Sequence, residues 1–167
     1  MSIFTPSLYL SKIIDIDLEI LEKLKIKAIL LDVDNTLAFN GKEEPFEGVI
    51  DWINKVKLKG YEIFIISNNN ELRVKSFSEK INLQYMSNAK KPFPKGFKNI
   101  KNRLKLKSEE ILVIGDQVFT DILGANLSKM KSILLDPIDL NEGRSIKIKR
   151  ILEKPVRIKI LRKKSFK

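Results

Sequence analysis

The chain has 167 residues, with 32 Lys and Arg against 21 Asp and Glu, a net charge of +11, 43% hydrophobic residues, and neither His nor Cys. That length suits one domain with a real core, and the composition is too apolar for disorder. The missing residues exclude a disulfide framework, a thiolate or imidazole zinc site, a Ser-His-Asp triad and histidine acid–base chemistry, so any catalysis runs on carboxylates, Lys, hydroxyls and a hard metal ion.

In chain order, Asp15–Leu24 sets Ile16, Ile20, Leu21 and Leu24 at helical spacing. Ala28–Val33 is a compact apolar run that reads as a buried parallel strand. Asn40-Gly41 signals a turn, and Pro45 opens a helix to about Lys59 with Val49, Ile50, Trp52, Ile53 and Val56 as packing residues and Gly60 as its stop. Tyr61–Ile66 is a second buried strand, Ser67–Asn70 a polar loop, and Glu71–Lys80 a helix carrying Leu72, Val74 and Phe77. A weak strand at Tyr85–Met86 precedes a loop punctuated by Pro92 and Pro94, then a helix over Phe97–Leu104. Ile111–Ile114 is a third strong strand, Ile122–Leu127 continues a helix, and Lys131–Leu135 contains a last strand ended by Asp136-Pro137. Strands alternating with helices at this spacing predict a three-layer α/β fold with a mainly parallel sheet.

The positive charge is uneven. Residues 141–167 hold eleven Lys and Arg against Glu142 and Glu153, which is +9 and leaves +2 for residues 1–140. We therefore expect a near-neutral domain over 1–140 and a basic extension over 141–167. The extension also carries Ile146, Ile148, Ile151, Leu152, Val156, Ile158, Ile160, Leu161 and Phe166. Such a segment can pack its Ile face on the domain with charge for solubility, contact an anionic membrane peripherally, or bind nucleic acid; the apolar content fits a membrane better than nucleic acid. Val156–Leu161 alternates like a strand, whereas Ile148, Ile151 and Leu152 suit a helix. No run reaches the roughly 18 apolar residues of a spanning helix. Met1–Leu10 lacks the basic and apolar regions of a signal peptide. The expected location is cytoplasmic, with the inner face of the membrane as a peripheral site.

Open parallel sheets bind ligands beyond the carboxyl ends of their strands. Those ends supply Asp32, Asp34, Asn35 and Thr36; then Ser67, Asn68 and Asn69; then Asp116, with Asp121 five residues on. Lys90 and Lys91 lie in the loop after the weak strand. Taken singly, each has an ordinary explanation: a cap, a turn, a loop or a surface charge. Their recurrence at successive strand ends is hard to assign to chance. Carboxylates at the end of a buried strand are costly without an offsetting cation. Mg²⁺ suits one or two carboxylates, waters and phosphate oxygens. We expect Asp32 and Asp116 as direct ligands, the Asp34 backbone carbonyl as a third, and Ser67 and Lys91 at the phosphate.

These residues resemble the haloacid dehalogenase superfamily of phosphohydrolases. Asp32-Val33-Asp34-Asn35-Thr36 matches its DxDx[TV] motif, Ser67 after IFII its second motif, Lys91 in AKKPFPKGF its third, and Gly115-Asp116 with Asp121 its GDxxxxD motif. LDVDNTL, ISNNNELRV, AKKP and VIGDQVFTDILGAN, over roughly Phe4–Arg150, are similar to the YqeG-like group of HAD-IIIA-type phosphatases. That group is related to the phosphatidylglycerophosphate phosphatases. Ala125-Asn126-Leu127 departs from the Gly and Arg usual there. The resemblance implies Asp32 as nucleophile, Asp34 as general acid and base, and Ser67 with the Asn68 N–H holding phosphoryl oxygens. It further implies Lys91 neutralising charge, Asp116 on Mg²⁺, Asp121 orienting Lys91 or a metal-bound water, and Thr36 in support. A response-regulator receiver also combines acidic residues, Ser or Thr and Lys on an α/β sheet, but DxDxT followed by GDxxxxD favours the hydrolase.

Neither the ten residues from Leu37 to Phe46 nor the 23 between Ser67 and Lys91 can hold a cap domain. A capless site is open and favours a phosphate on something large or surface-presented, with Leu37, Phe39 and Phe46 near the rim. Phosphatidylglycerophosphate is the leading substrate, and a nucleotide or nucleic-acid end is the alternative. A non-enzymatic binding or assembly factor on the same scaffold is the third reading.

Overall fold

Side chains alternate along each apolar run, so every strand feeds two cores. In the computed structural model, which describes residues 2–138 and 144–164, the elements are β1 (Leu8–Leu10), α1 (Leu18–Lys23), β2 (Ala28–Leu31), α2 (Val49–Leu58), β3 (Glu62–Ile66) and α3 (Glu71–Lys80). They continue with β4 (Gln84–Met86), α4 (Pro94–Leu104), β5 (Ile111–Gly115), α5 (Leu123–Leu127), β6 (Lys131–Leu135) and α6 (Arg144–Lys164). The six strands form one sheet in the order β1-β6-β5-β2-β3-β4, and every pairing is parallel. Ile29, Leu31, Ile63, Ile65, Leu112 and Ile114 face Leu21, Trp52, Ile53, Val56, Val74 and Phe77 on one side. Ala28, Leu30, Phe64, Ile66, Ile111 and Val113 face Phe97, Ile100, Ala125 and Met130 on the other. This is the expected three-layer α/β architecture.

Register brings the strand ends level. Leu31 pairs with Ile65 on one side and Ile114 on the other, and the Asp32 N–H continues the ladder to the Ile114 carbonyl at 3.0 Å. Asp32, Ser67 and Asp116 therefore leave three adjacent central strands at one edge. Short polar caps set the helices: Asp17 accepts from the Ile20 N–H at 2.9 Å, and Asn70 from the Arg73 N–H at 3.0 Å. Gly60, at φ +86°, follows α2 in the left-handed conformation that glycine adopts without penalty.

The structure departs from the sequence expectations in a few places. The helix expected from Pro45 begins at Val49, after Gly48 at φ +83°. Leu72 is 83% exposed, because α3 packs through Val74 and Phe77 and Leu72 lies about 200° round the helix from Val74. Ile50 is half-exposed for the same geometric reason. β1, a three-residue edge strand beside β6, carried no sequence signal. The extension is helical from Arg144 to Lys164, so Val156–Leu161 does not form a strand.

Arg150, Val156, Arg157 and Ile160 are part-buried on α6 and Glu153 is fully buried, while Ile148, Ile151, Leu152, Ile158 and Leu161 are exposed. The packed face is thus the ionic one, with Val156 and Ile160 against the cluster of Val118, Ile122 and Leu134. The face that packs is therefore mixed, and the larger share of the isoleucines whose burial is described lies on the other side.

Candidate active site

Lys91 lies at the centre of the crevice. It arrives in the loop between β4 and α4, and Asn68 fixes its backbone: the Lys91 N–H donates to Asn68 Oδ1 at 2.6 Å and Asn68 Nδ2 donates to the Lys91 carbonyl at 3.0 Å. Its ammonium is buried and spends its three protons on Asp32 Oδ1 at 2.6 Å, Asp121 Oδ1 at 2.7 Å and the Ile66 carbonyl at 2.9 Å. Burial alone would lower the Lys91 pKa, but Asp121 and Asp32 outweigh it and hold the ammonium above the ordinary lysine value.

Asp32, Asp116 and Asp121 carry carboxylate oxygens within 4.8 Å of one another. All three are buried. Burial raises Asp32 to about 7, against the pull of Lys91 and with a further push from Asp121. Burial likewise raises Asp116 to about 8, opposed by Arg150 and reinforced by Asp32 and Asp121. Asp116 Oδ1 is buried without a hydrogen-bond partner among the described residues. An orphaned oxygen in a cluster of carboxylates is the environment a divalent cation offsets, so these residues fit a metal ion.

Gly115 makes this approach possible. A Cβ there would sit 2.3 Å from Asp121 Cγ, so only glycine lets the Asp121 side chain pass the end of β5. The Gln117 N–H then donates to Asp121 Oδ2 at 3.1 Å and fixes the carboxylate that Lys91 shares.

Asp34 is placed differently from its neighbour. Its Oδ1 accepts from the Gly41 N–H at 2.8 Å and from Arg73 Nη2 at 3.1 Å, and its Oδ2 from Asn69 Nδ2. The carboxylate cluster therefore contains Asp121, and the Asp34 side chain stands apart on the wall of the cavity. That cavity, of about 190 Å³, is lined by Asp32, Asp34, Asn40, Ser67, Asn68, Asn69, Lys91, Gln117 and Thr120. Ser67 Oγ accepts from the Asn69 N–H at 3.2 Å. Thr36 is wholly buried, does not line the cavity, and its hydroxyl has no hydrogen-bond partner among the described residues. Leu37 is wholly buried, while Phe39 stacks edge-on against Phe46 at 4.9 Å and stays half-exposed; both rings line a separate apolar cavity with Ile13, Ile14 and Pro45, not the one over Asp32.

Sequence reasoning missed two contributors. Arg73, in the first turn of α3, reaches back to Asp34 and to the Lys42 carbonyl. Arg150, on α6, ion-pairs with the Asp116 carboxylate. Asn126, between the departing Ala125 and Leu127, donates to the Ile3 and Thr5 carbonyls and ties down the N-terminal segment.

A parallel α/β sheet with acidic strand ends, a buried Lys and a phosphate-sized polar cavity defines a phosphatase of the haloacid dehalogenase superfamily, which works through an aspartate nucleophile. Residues 1–139 match the family model described as mitochondrial PGP phosphatase. Over 160 residues the chain is 34% identical to the probable phosphatase YqeG of Bacillus subtilis, covering 96% of this chain and 93% of that protein. The chain therefore belongs to the PGP phosphatase family, as a YqeG-like member. Solved structures support the fold alone. An uncharacterized Listeria monocytogenes protein superposes with a TM-score of 0.59 at 17% identity, over 71% of this chain and 84% of that one. A hypothetical Xanthomonas campestris protein gives 0.55 at 16% identity, over 82% and 77%.

Proposed function

We propose that this chain is a Mg²⁺-dependent phosphomonoesterase acting on phosphatidylglycerophosphate at an anionic membrane surface. The observation that carries the chemistry is the Asp32–Lys91–Asp121 arrangement beneath a cavity with Asp34 on its wall. In this reading Asp32 attacks phosphorus, forming an aspartyl-phosphate as the bond to the leaving oxygen breaks. Asp34 gives that oxygen a proton, then takes one from the water that hydrolyses the acyl phosphate. Arg73, Asn69 and the Gly41 N–H hold Asp34 in place. Ser67 and the Asn68 N–H bind phosphoryl oxygens, and Lys91 balances their charge. Mg²⁺, held by Asp32, Asp116 and the Asp34 carbonyl, would supply charge neutralisation at the transferring group. Asp121 orients Lys91, and Thr36 supports the first loop from within the core.

Between β3 and Lys91 the chain forms only α3 and β4, which leaves the crevice uncapped and open to a large substrate. The outward face of α6 presents Ile148, Ile151, Leu152 and Ile158, with the exposed Lys147, Lys154 and Lys159 around them. That combination supports peripheral contact with anionic lipid. No helix among the described residues is long and apolar enough to cross a membrane. We place the enzyme in the cytoplasm, peripheral to the inner face of the membrane, with residues 1–140 as the phosphatase domain and 141–167 as its basic extension. The same exposed lysines favour, as a second reading, a phosphorylated nucleic-acid end.

The test is Mg²⁺-dependent phosphate release from phosphatidylglycerophosphate in mixed micelles, with Asp32→Asn as the blank. Release by the wild type and none by the variant is expected. Activity on an aryl phosphate without lipid turnover rejects the substrate and keeps the chemistry, and phosphorylated nucleic-acid ends are then tried. No release from any phosphomonoester would mean a binding or assembly factor.

A further inference from the structure

The basic extension reaches the reaction centre. Arg150, 12% exposed, donates through Nη2 to Asp116 Oδ2 and through Nη1 to the Asp116 main-chain carbonyl, the latter at 2.8 Å. Arg157, two turns further along the same face of α6, donates through Nη2 to the same carbonyl and through Nη1 to the Leu135 carbonyl at 3.4 Å. Between the two stands Glu153, fully buried, with Oε2 at 3.6 Å from both Arg150 Nη1 and Arg157 Nε. Its Oε1 accepts from the Phe119 N–H at 3.0 Å, in the turn that also delivers Asp121.

Resting on the assignment of Asp116 as a metal ligand, we propose that Arg150 and Arg157, braced by Glu153, are positioning residues that aim Asp116 at the metal. The geometry divides the Asp116 carboxylate. Oδ2 is gripped by Arg150, and Oδ1, which has no hydrogen-bond partner among the described residues, stays available to a metal in a residue that shares the cluster with Asp32 and Asp121. A planar guanidinium can hold a side-chain oxygen and the main-chain carbonyl of one residue together, fixing both its rotamer and its backbone. The charge count agrees. When ionised, as metal ligands must be, the three clustered carboxylates meet Lys91 and Arg150, which leaves one net negative charge for a divalent ion and a phosphate. α6 therefore backs the active site through Asp116 without lining its cavity, and its ionic face packs inward.

Groups that orient a metal's ligands typically cost about 10–100-fold in metal affinity when removed. The experiment is calorimetric titration of Mg²⁺ or Mn²⁺ into the full chain without substrate, alongside the Mg²⁺ dependence of turnover. Arg150→Met should weaken metal binding about 10–100-fold. The half-saturating Mg²⁺ concentration should move by the same factor, with substrate KM unchanged at saturating metal. Arg150→Lys keeps the charge but loses the fork and should also bind metal more weakly. Ile151→Ser, on the outward face, should leave metal affinity unchanged. A purely structural role would reduce the folded fraction and the amplitude of binding without moving the affinity. Unchanged or tighter metal binding by folded Arg150→Met would overturn the proposal, as would equal weakening by Ile151→Ser. If Arg150→Met does not fold, Arg150→Lys and Glu153→Gln decide on the same readout. Because binding is read without turnover, failure here is distinguishable from failure of the phosphatase assignment.

Discussion

Lys91→Met separates charge from shape. Methionine retains the apolar stem and much of the volume, so cavity formation contributes little. What is lost is the cation shared by Asp32 at 2.6 Å and Asp121 at 2.7 Å, both buried. Removing one partner of a buried pair typically costs about 3–5 kcal/mol, a large part of a total stability of about 5–15 kcal/mol. Asp32 can escape part of that cost by taking a proton. It already titrates near 7 with Lys91 beside it, and loss of the ammonium pushes it higher. Part of the loss should therefore remain at pH 5, because buried Asp121 is left without its cation at either pH, and the loss should grow by up to about 1.4 kcal/mol at pH 8, one unit above the wild-type Asp32 value. Urea unfolding in chelator measures it. The single Trp52 is buried and donates its indole N–H to the Ile16 carbonyl at 2.7 Å, so its fluorescence reports the core. Phosphatase activity should be lost in parallel. A loss below about 1 kcal/mol at pH 8, or one that does not change between pH 5 and pH 8, would refute the view of Lys91 as counter-charge to the crevice.

Three further outcomes follow from the geometry. Gly115→Ala should cost about 1–3 kcal/mol by overpacking, since its Cβ would meet Asp121 Cγ at 2.3 Å, and should lower turnover by moving Asp121 off Lys91; denaturant midpoints and aryl-phosphate kinetics check this. In chelator, wild-type stability should fall as pH rises. Asp32 and Asp116 are raised from 3.8 to about 7 and about 8, so their contribution is full below the unfolded value and is lost as pH climbs through those folded values. Mg²⁺ should reverse the trend, because its ligands bind deprotonated, and thermal melts with and without the ion test both signs. On the outer face of α6, Ile151→Ser with Ile158→Ser should weaken sedimentation with anionic vesicles several-fold while aryl-phosphate turnover stays at the wild-type level. Unaltered vesicle binding would remove the membrane role from this face.

Much of the site was legible because its chemistry is tied to strand ends. AILL, EIFII and ILVIG are apolar throughout, which marks them as central parallel strands, and the polar residue after each must then lie at one edge. That logic places Asp32, Ser67 and Asp116 along one crevice. It did not distinguish the two acidic partners of Asp32. Asp34 is nearer in sequence, yet the turn at Asn35, with φ +61°, and the bond to the Gly41 N–H carry its carboxylate to the cavity wall. Asp121 is five residues beyond Asp116, and it enters the cluster only because Gly115 leaves room for it. Local spacing specifies which residues are available; close packing between segments decides which meet.

The extension shows the limit of composition more sharply. A segment at +9 reads as a surface that attracts polyanions, and averaging over its residues treats every Arg alike. The helix sorts them by angle. Arg150, Glu153 and Arg157 recur at three and four residues and so share a face, and that face turns inward over Asp116. Ile148, Ile151, Leu152 and Ile158 lie opposite and turn outward. The inversion is physically reasonable once the crevice is counted. Three buried carboxylates create a demand for cations that Lys91 alone does not meet, and a guanidinium buried against Asp116 offsets part of it at the cost of its own desolvation. Glu153 is then required, because two arginines converging on one carbonyl would otherwise repel. The sequence spacing Arg-x-x-Glu-x-x-x-Arg is visible without a structure, but its meaning depends on a partner 34 residues earlier in the chain, which no local pattern in the extension reveals.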